Sequence, residues 1–342
     1  MAFFAIPGDI TRKTGGFIYD RKVLDLLQAK GRNMHHLPMP AGFPDPTDDD
    51  MAKALADLEA VPDGVPVLVD GLVLGAIDPE GLRKVSAPIV GMIHHPLGLE
   101  SGLPPHRAEF LLRNEAAALA HTAHVVVPSP HTAEILVERF AVPSGKITVA
   151  PPGLTKAIGA STRATPPLIL AVGSLVERKG HDVLLKALAQ IADLPWQAEI
   201  VGGAEDAPVV ARLKDLRHDL ALDNQVTFVG TLDEAALGER YAAASVFALA
   251  TRYEGYGMVF AEAMIHGLPI VACSGGAVPD TVAPGAGILV AVDDTDAFAD
   301  ALRRVLSDEP LRAQMATASS EAGSALPTWD ATAKTIAQVL DA

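Results

Sequence analysis

Short apolar runs and amphipathic helical patterns alternate along this chain of 342 residues, and that alternation restricts the fold more than any single motif. Ala2–Ile6, Val65–Val69, Ile89–Ile93, Val125–Val127 and Ile147–Val149 are short and apolar on both faces, the pattern of strands inside a parallel sheet. Helical periodicity fills the gaps, over Phe17–Ala29 (apolar at Val23, Leu24, Leu26 and Leu27), Arg107–Ala120 and Thr132–Phe140. Parallel neighbours cannot be joined by a tight hairpin and need a crossover of a dozen residues or more. Strand, helix, strand in repetition therefore predicts the α/β class, with doubly wound parallel sheets.

The pattern is interrupted once. Pro151-Pro152-Gly153 and Gly159 to Pro167 have the composition of a linker, placed at 152–165. A fresh unit opens at Leu168-Ile169-Leu170-Ala171-Val172-Gly173 and continues through Ala198–Val201, Val226–Val229, Val246–Ala250 and Ile270–Ala272, with helices such as Asp182–Ile191 and Val209–Leu222 between them. The expectation is two Rossmann-like domains, 1–151 and 166–322, which suits a length beyond that of one ordinary core.

Composition removes several function classes. Net charge is −15, which repels nucleic-acid phosphates and gives no support for peripheral contact with anionic membranes. Arg12-Lys13 and Arg21-Lys22 read as solvated helix charges, and Asp48-Asp49-Asp50 as a helix start favoured by the dipole. The lone Cys273, closing an apolar strand, excludes a disulfide framework and reads as a buried, inert thiol. No stretch reaches about 18 apolar residues, so no transmembrane segment is expected. The N-terminus lacks the basic start and apolar core of a signal peptide, so the expected location is cytoplasmic.

The motif richest in chemistry is Glu254-Gly255-Tyr256-Gly257-Met258-Val259-Phe260-Ala261-Glu262, two carboxylates bracketing a strand-to-helix junction. Ligands of open α/β sheets bind beyond the carboxyl ends of strands, and the amides of a new helix suit an anion there. Glutamate is common, and a bare E-x7-E spacing is weak; the glycines, which admit close backbone approach, and the aromatic Tyr256 strengthen it. A second strand end carries Gly173-Ser174-Leu175-Val176-Glu177-Arg178-Lys179-Gly180, where Lys179 is placed to neutralise a diphosphate. Gly275-Gly276 ends a third as either an anion-binding nest or a plain turn. In the first half, Gly15-Gly16 precedes the first helix and His94-His95 ends a strand. Adjacent residues on an extended segment point apart, so the two do not form a metal pair. His35-His36 reads as structural. Neither a dinucleotide fingerprint nor a P-loop occurs.

Together these motifs resemble the glycosyltransferase family 4 enzymes of the GT-B fold, most strongly from about Leu168 to Leu289. Gly173 to Gly180 is similar to the family's V-G-(R/S)-L…K-G segment. Phe228-Val229-Gly230 is similar to its F-x-G, the Glu254–Met264 block to its E-G-(F/Y)-G-x4-E-A-M, and Gly275–Asp280 to its G-G-x-P-(D/E) turn. The first half resembles the family more loosely, through Gly15-Gly16, His94 and Pro152-Gly153. Trp329 and the helix after it resemble the segment that returns to the first domain, which implies that 328–342 completes 1–151. The resemblance implies two domains facing a cleft, an acceptor side first and a donor side second. It implies metal-independent, retaining transfer of a sugar from a nucleotide-diphosphate donor, UDP or GDP, with no cofactor beyond that co-substrate and no metal ligand. Glu262 would bind the ribose, Glu254 the sugar, and Lys179 the phosphates together with Gly16 and the amides of Tyr256, Gly257 and Met258. His94 would lie beside the reacting sugar and the base near Gly230 and Thr231. Ser174 departs from an arginine common in relatives, and Arg178 is a conjectural substitute. A small-molecule or saccharide acceptor is favoured over lipid. Two other readings stand beside transfer: a nucleotide-sugar epimerase of the same fold, and a non-catalytic nucleotide-sugar binding protein.

Overall fold

A computed structural model describes residues 1–155, 162–204 and 206–342; residues 156–161 of the expected linker lie outside the described residues. The chain divides into two compact units, Met1–Gly153 with Pro327–Ala342, and Leu154–Leu326.

The first unit runs β1 (Ala2–Pro7), α1 (Gly15–Ala29), β2 (Met34–Met39), α2 (Asp48–Glu59), β3 (Val67–Asp70), α3 (Gly71–Leu74), β4 (Ile89–Met92), α4 (Pro105–Leu119), β5 (His124–Val127), α5 (Pro130–Phe140) and β6 (Ile147–Val149). Its strands pair in parallel in the order β2-β1-β3-β4-β5-β6. Three expected boundaries shift for local reasons. Val65 donates to Pro62 in a turn, so β3 starts at Val67. Pro105 and Pro130 sit in the first turns of α4 and α5, where a missing N–H costs nothing, and Ser129 caps α5 by accepting from Thr132 N at 3.1 Å. His35 and His36 lie on β2, an edge strand, which also tolerates Pro38.

The second unit runs β7 (Leu168–Val172), α6 (His181–Ala189), β8 (Gln197–Val201), α7 (Ala207–Asp219), β9 (Val226–Gly230), α8 (Glu234–Ala243), β10 (Val246–Leu249), α9 (Met258–Ile265), β11 (Ile270–Cys273), α10 (Val278–Thr281), β12 (Gly287–Val290), α11 (Thr295–Ser307) and α12 (Glu309–Ala325). Its parallel order is β12-β11-β10-β7-β8-β9. Alternate residues of β7 feed two different cores. Ile169 and Ala171 pack with α6 and α11, and Leu168, Leu170 and Val172 pack with Tyr241, Phe260 and Met264. All five are buried, which explains a strand that reads apolar throughout.

The last helix, α13 (Trp329–Leu340), belongs to the first unit. It lies against α1, with the Trp329 ring edge-on to Tyr19 at 5.6 Å and Ile336 and Leu340 buried. Burial of two such aliphatic side chains contributes about 1.5–3 kcal/mol each. Thr332 Oγ1 donates to the Pro151 carbonyl at 2.7 Å, and Arg32 grips Asp341 through two bonds of 3.0 and 2.8 Å. Gly153 is where the chain passes closest to this helix. A Cβ there would stand 1.9 Å from Trp329 N and 2.1 Å from its Cα, both backbone atoms that cannot step aside. Gly153→Ala is therefore expected to destabilise the first unit by about 1–3 kcal/mol or more. Thermal unfolding checks this, and an unchanged Tm would show that α13 is not held as described.

Candidate functional site

In the second sheet β8 follows β7 on one side and β10 lies on the other, so the strand order reverses between β7 and β10. Ligands of open α/β sheets bind beyond the carboxyl ends of strands at such a reversal. After β7 come Gly173 and Ser174, then a single 3-10 turn at Glu177–Lys179. After β10 come Thr251 to Gly257, then α9.

The two loops meet at Glu254. Lys179 Nζ lies 2.6 Å from Glu254 Oε1, Arg178 Nη1 lies 3.4 Å from Oε2, and Thr251 Oγ1 donates to Oε1 at 2.8 Å. Glu254 is only 6% exposed. Burial pushes its carboxyl up, but the charges of Lys179 and Arg178 outweigh that and hold it below the ordinary glutamate value. It is thus a fixed anion with its charge matched on site. Removing one partner of such a pair costs about 3–5 kcal/mol, because the other charge is stranded in a dry place. The sequence placed Lys179 and Glu254 on one site with separate tasks; the structure adds that they bind each other. Arg178 is turned the same way, donating to the Tyr253 carbonyl at 2.7 Å. Gly173 is where the Lys179 stem passes: a Cβ there would be 3.1 Å from Lys179 Cδ. Ser174 offers its carbonyl to His181 Nε2 at 3.2 Å. Of the two readings of Gly275-Gly276, the structure favours a tie within the protein. Ala277 N donates to the Glu254 carbonyl at 2.8 Å, and Gly276 makes a parallel bridge to Glu254.

Glu262 has the opposite environment. It sits within α9 and accepts from Tyr241 Oη at 2.7 Å. Burial is its largest influence and raises it to about 7, with the Tyr241 bond and Lys179 pulling the other way. Gly257 caps α9 with φ at 87°, a left-handed conformation, and a Cβ there would meet the Phe260 ring at 2.7 Å. Met258 is the first helical residue, and Tyr256 precedes the cap. Gly230 ends β9, an edge strand separated from β7 by β8, and Thr231 follows it.

The expected residues of the first unit form their own group. Gly15 and Gly16 begin α1, and a Cβ on Gly16 would lie 3.2 Å from His94 Cδ2. His94 Nε2 is 2.9 Å from Asp20 Oδ1, while His95 Nε2 turns to Glu100 Oε2 at 2.9 Å, so the neighbours do point apart. The sequence reading contained no metal-type cluster, yet the fold assembles one oxygen each of Asp20 and Asp70 and one nitrogen of His94 within 4.8 Å. Asp20, Asp70, Tyr241 and Thr251 are the residues sequence reasoning missed. Asp20 had a readable signal: it falls on the same helical face as Phe17, Leu24 and Leu27, all buried, where a charge is out of place. Thr251 had one in its position directly beyond β10.

Two family models match in succession, Glycosyltransferase Family 4 over residues 74–156 and Glycosyl transferases group 1 over residues 157–322. A GDP-mannose-dependent alpha-(1-6)-phosphatidylinositol monomannoside mannosyltransferase of Mycobacterium tuberculosis is 34% identical over 184 residues, 51% of this chain and 47% of the relative. A D-inositol 3-phosphate glycosyltransferase of Xylanimonas cellulosilytica is 31% identical over 246 residues, 66% of this chain and 58% of the relative. The chain thus spans about half the length of the curated relatives it matches. Sucrose-phosphate synthase from Thermosynechococcus elongatus superposes with a TM-score of 0.82 at 23% identity, covering 99% of this chain and 98% of that one. Anabaena HepE in complex with UDP and glucose superposes at 0.77 and 18% identity, covering both chains fully. These likenesses establish the fold as GT-B, two Rossmann-like units. Sequence motifs, sheet topology and the paired models lead to one assignment: the chain belongs to glycosyltransferase family 4.

Proposed function

We propose that this protein is a retaining glycosyltransferase that moves a hexose from a nucleotide-diphosphate sugar to an acceptor hydroxyl without needing a metal ion. The observation that carries the reading is the pairing of two unlike carboxylates at one strand-order reversal. Glu254 is ionised and clamped by cations, and Glu262 titrates near neutrality. The donor in the mannosyltransferase relative's name, GDP-mannose, and the UDP and glucose bound to HepE support a nucleotide-sugar donor and make GDP-mannose the first to test. The names of both relatives also favour an inositol-bearing acceptor, a saccharide-like polyol, as the first class to try.

In this reading Glu262 accepts from the ribose hydroxyls, and Lys179, with the amides of Tyr256, Gly257 and Met258, faces the diphosphate. Glu254 orients the sugar. Transfer requires stabilising negative charge on the departing phosphate and positive charge on the ring, a task for preorganised charges and dipoles. Glu254 is a poor nucleophile because Lys179, Arg178 and Thr251 already hold its oxygens. The transfer is therefore written as a front-side exchange. The bond from the anomeric carbon to the phosphate oxygen breaks with its electron pair leaving on the diphosphate. The acceptor oxygen bonds the same face, and its proton passes to the leaving phosphate. Product should keep the donor's anomeric configuration; an inverted product, assigned by proton NMR, overturns the mechanism.

A thermal-shift screen of nucleotides and nucleotide sugars is expected to show stabilisation by GDP-mannose or a UDP-sugar, since ligand bound only to the folded state raises Tm. Glu262→Ala should weaken donor binding, and Lys179→Ala should lower turnover as well, each by about 2–4 kcal/mol. Full activity in both variants sinks the assignment.

The Glu262 carboxyl, raised to about 7 in the free protein, also fixes a pH dependence. The ionised form accepts ribose hydroxyls, so donor binding is full above pH 7 and fades as pH falls through it. Donor Kd should weaken about tenfold from pH 8 to pH 6, and Glu262→Gln should flatten that slope in calorimetric titrations.

A further inference from the structure

Lys179 stands on a single turn. Glu177–Lys179 is one 3-10 turn between β7 and α6, closed by Lys179 N on the Val176 carbonyl at 3.1 Å and Gly180 N on the Glu177 carbonyl at 3.2 Å. A turn this short does not fix its own position, because it orders several dihedral angles for few hydrogen bonds. Its place is set from outside, by Arg252 in the loop after β10.

Arg252 reaches the turn twice. Its amide donates to the Arg178 carbonyl at 2.7 Å, and its guanidinium Nη1 donates to the Glu177 carbonyl. The other two nitrogens go elsewhere. Nη2 donates to Asp182 Oδ2 at 3.0 Å, in the first turn of α6, and Nε donates to Asp293 Oδ1 at 2.8 Å, beyond β12. The direction of each bond is fixed, because a guanidinium only donates. Burial would raise Asp182, but Arg252 outweighs burial and holds that carboxyl below the ordinary aspartate value. One side chain, 18% exposed, thus joins the loops that follow β7, β10 and β12.

The backbone around it is confined as well. A Cβ on Gly180 would stand 1.9 Å from the Ala250 carbonyl oxygen, one on Gly275 2.4 Å from that of Arg252, and one on Gly276 2.3 Å from that of Glu254. Residues 250–254 are therefore pressed against the loops after β7 and β11, and the Arg252 side chain leaves from a backbone with no room to move toward either. With all three guanidinium nitrogens engaged on protein oxygens, the fork holds the protein together rather than facing a phosphate.

We propose that Arg252 is a positioning residue that fastens the Glu177–Lys179 turn to the loops after β10 and β12, so that Lys179 stands at Glu254 before any ligand arrives. Its bearing on transfer rests on the role given to Lys179 above; the fastening does not. A lysine would keep the charge here but not the planar fork that serves three acceptors in three directions.

The test is hydrogen exchange read by mass spectrometry on the ligand-free protein, together with steady-state kinetics on GDP-mannose. In Arg252→Ala and in Arg252→Lys, amides of residues 174–180 should exchange about tenfold faster, as expected for loss of a charge-assisted bond, while those of β7 and β10 keep their protection. A misplaced Lys179 should lower kcat about 100-fold, with a smaller change in KM. Arg252→Lys carries the test even if Arg252→Ala fails to fold. Unchanged exchange over 174–180 in Arg252→Lys overturns the proposal, as does a wild-type kcat in that variant, since charge without the fork would then suffice. Loss of protection that spreads equally through β7 and β10 also overturns it, because Arg252 would then support the whole sheet and not one turn. If the wild-type protein consumes no nucleotide sugar, the proposed activity falls, and the exchange result alone decides whether Arg252 fastens the turn.

Discussion

Everything in this molecule follows from strands buried on both faces. A parallel sheet covered by helices above and below leaves no polar surface on its flanks, so functional groups collect where strands stop. Both units obey this. Lys179 and Glu254 follow β7 and β10, and Asp70 and His94 follow or end β3 and β4. In each case the residues gather where the strand order reverses, because there the connections leave for opposite faces and part from one another.

Within that edge, local environment assigns different electrostatic characters to like residues. Glu254 is buried and Glu262 half-buried, and burial alone would push both carboxyls toward the neutral form. Glu254 escapes because two cations reach it. Glu262, with a tyrosine hydroxyl and only the more distant influence of Lys179, stays near its neutral form. Asp20 and Asp70 are a third case, buried beside His94, where burial raises both above the ordinary aspartate value. Carboxylates of one kind thereby become a fixed anion, a titrating acceptor and a pair pushed toward the neutral acid.

The fold class and most strand positions were legible because they depend on short-range apolar pattern, and the second-unit motifs because they lie in continuous loops. Legibility failed in three identifiable ways. Edge strands such as β12 are short and only half-buried, so their pattern is thin. Helix starts were missed where a proline or a capping side chain, not periodicity, sets the first turn. The Asp20–Asp70–His94 group was invisible because its members are separated by 50 and 24 residues and become neighbours only through topology. The Tyr241 bond to Glu262, across 21 residues, is of the same kind.

The return of α13 to the first unit bears on the order of synthesis. The residues that cover α1, Trp329 through Leu340, are translated after every residue of the second unit. As chains emerge from the ribosome N-terminus first, the second unit can complete its core while the first still exposes the apolar face that α13 will cover. The first sheet to be made is then the last to be finished. Cutting the chain within α12 would leave a nascent Tyr19–Val23–Leu27 surface open to solvent and to chaperones, although the strands beneath it were all in place.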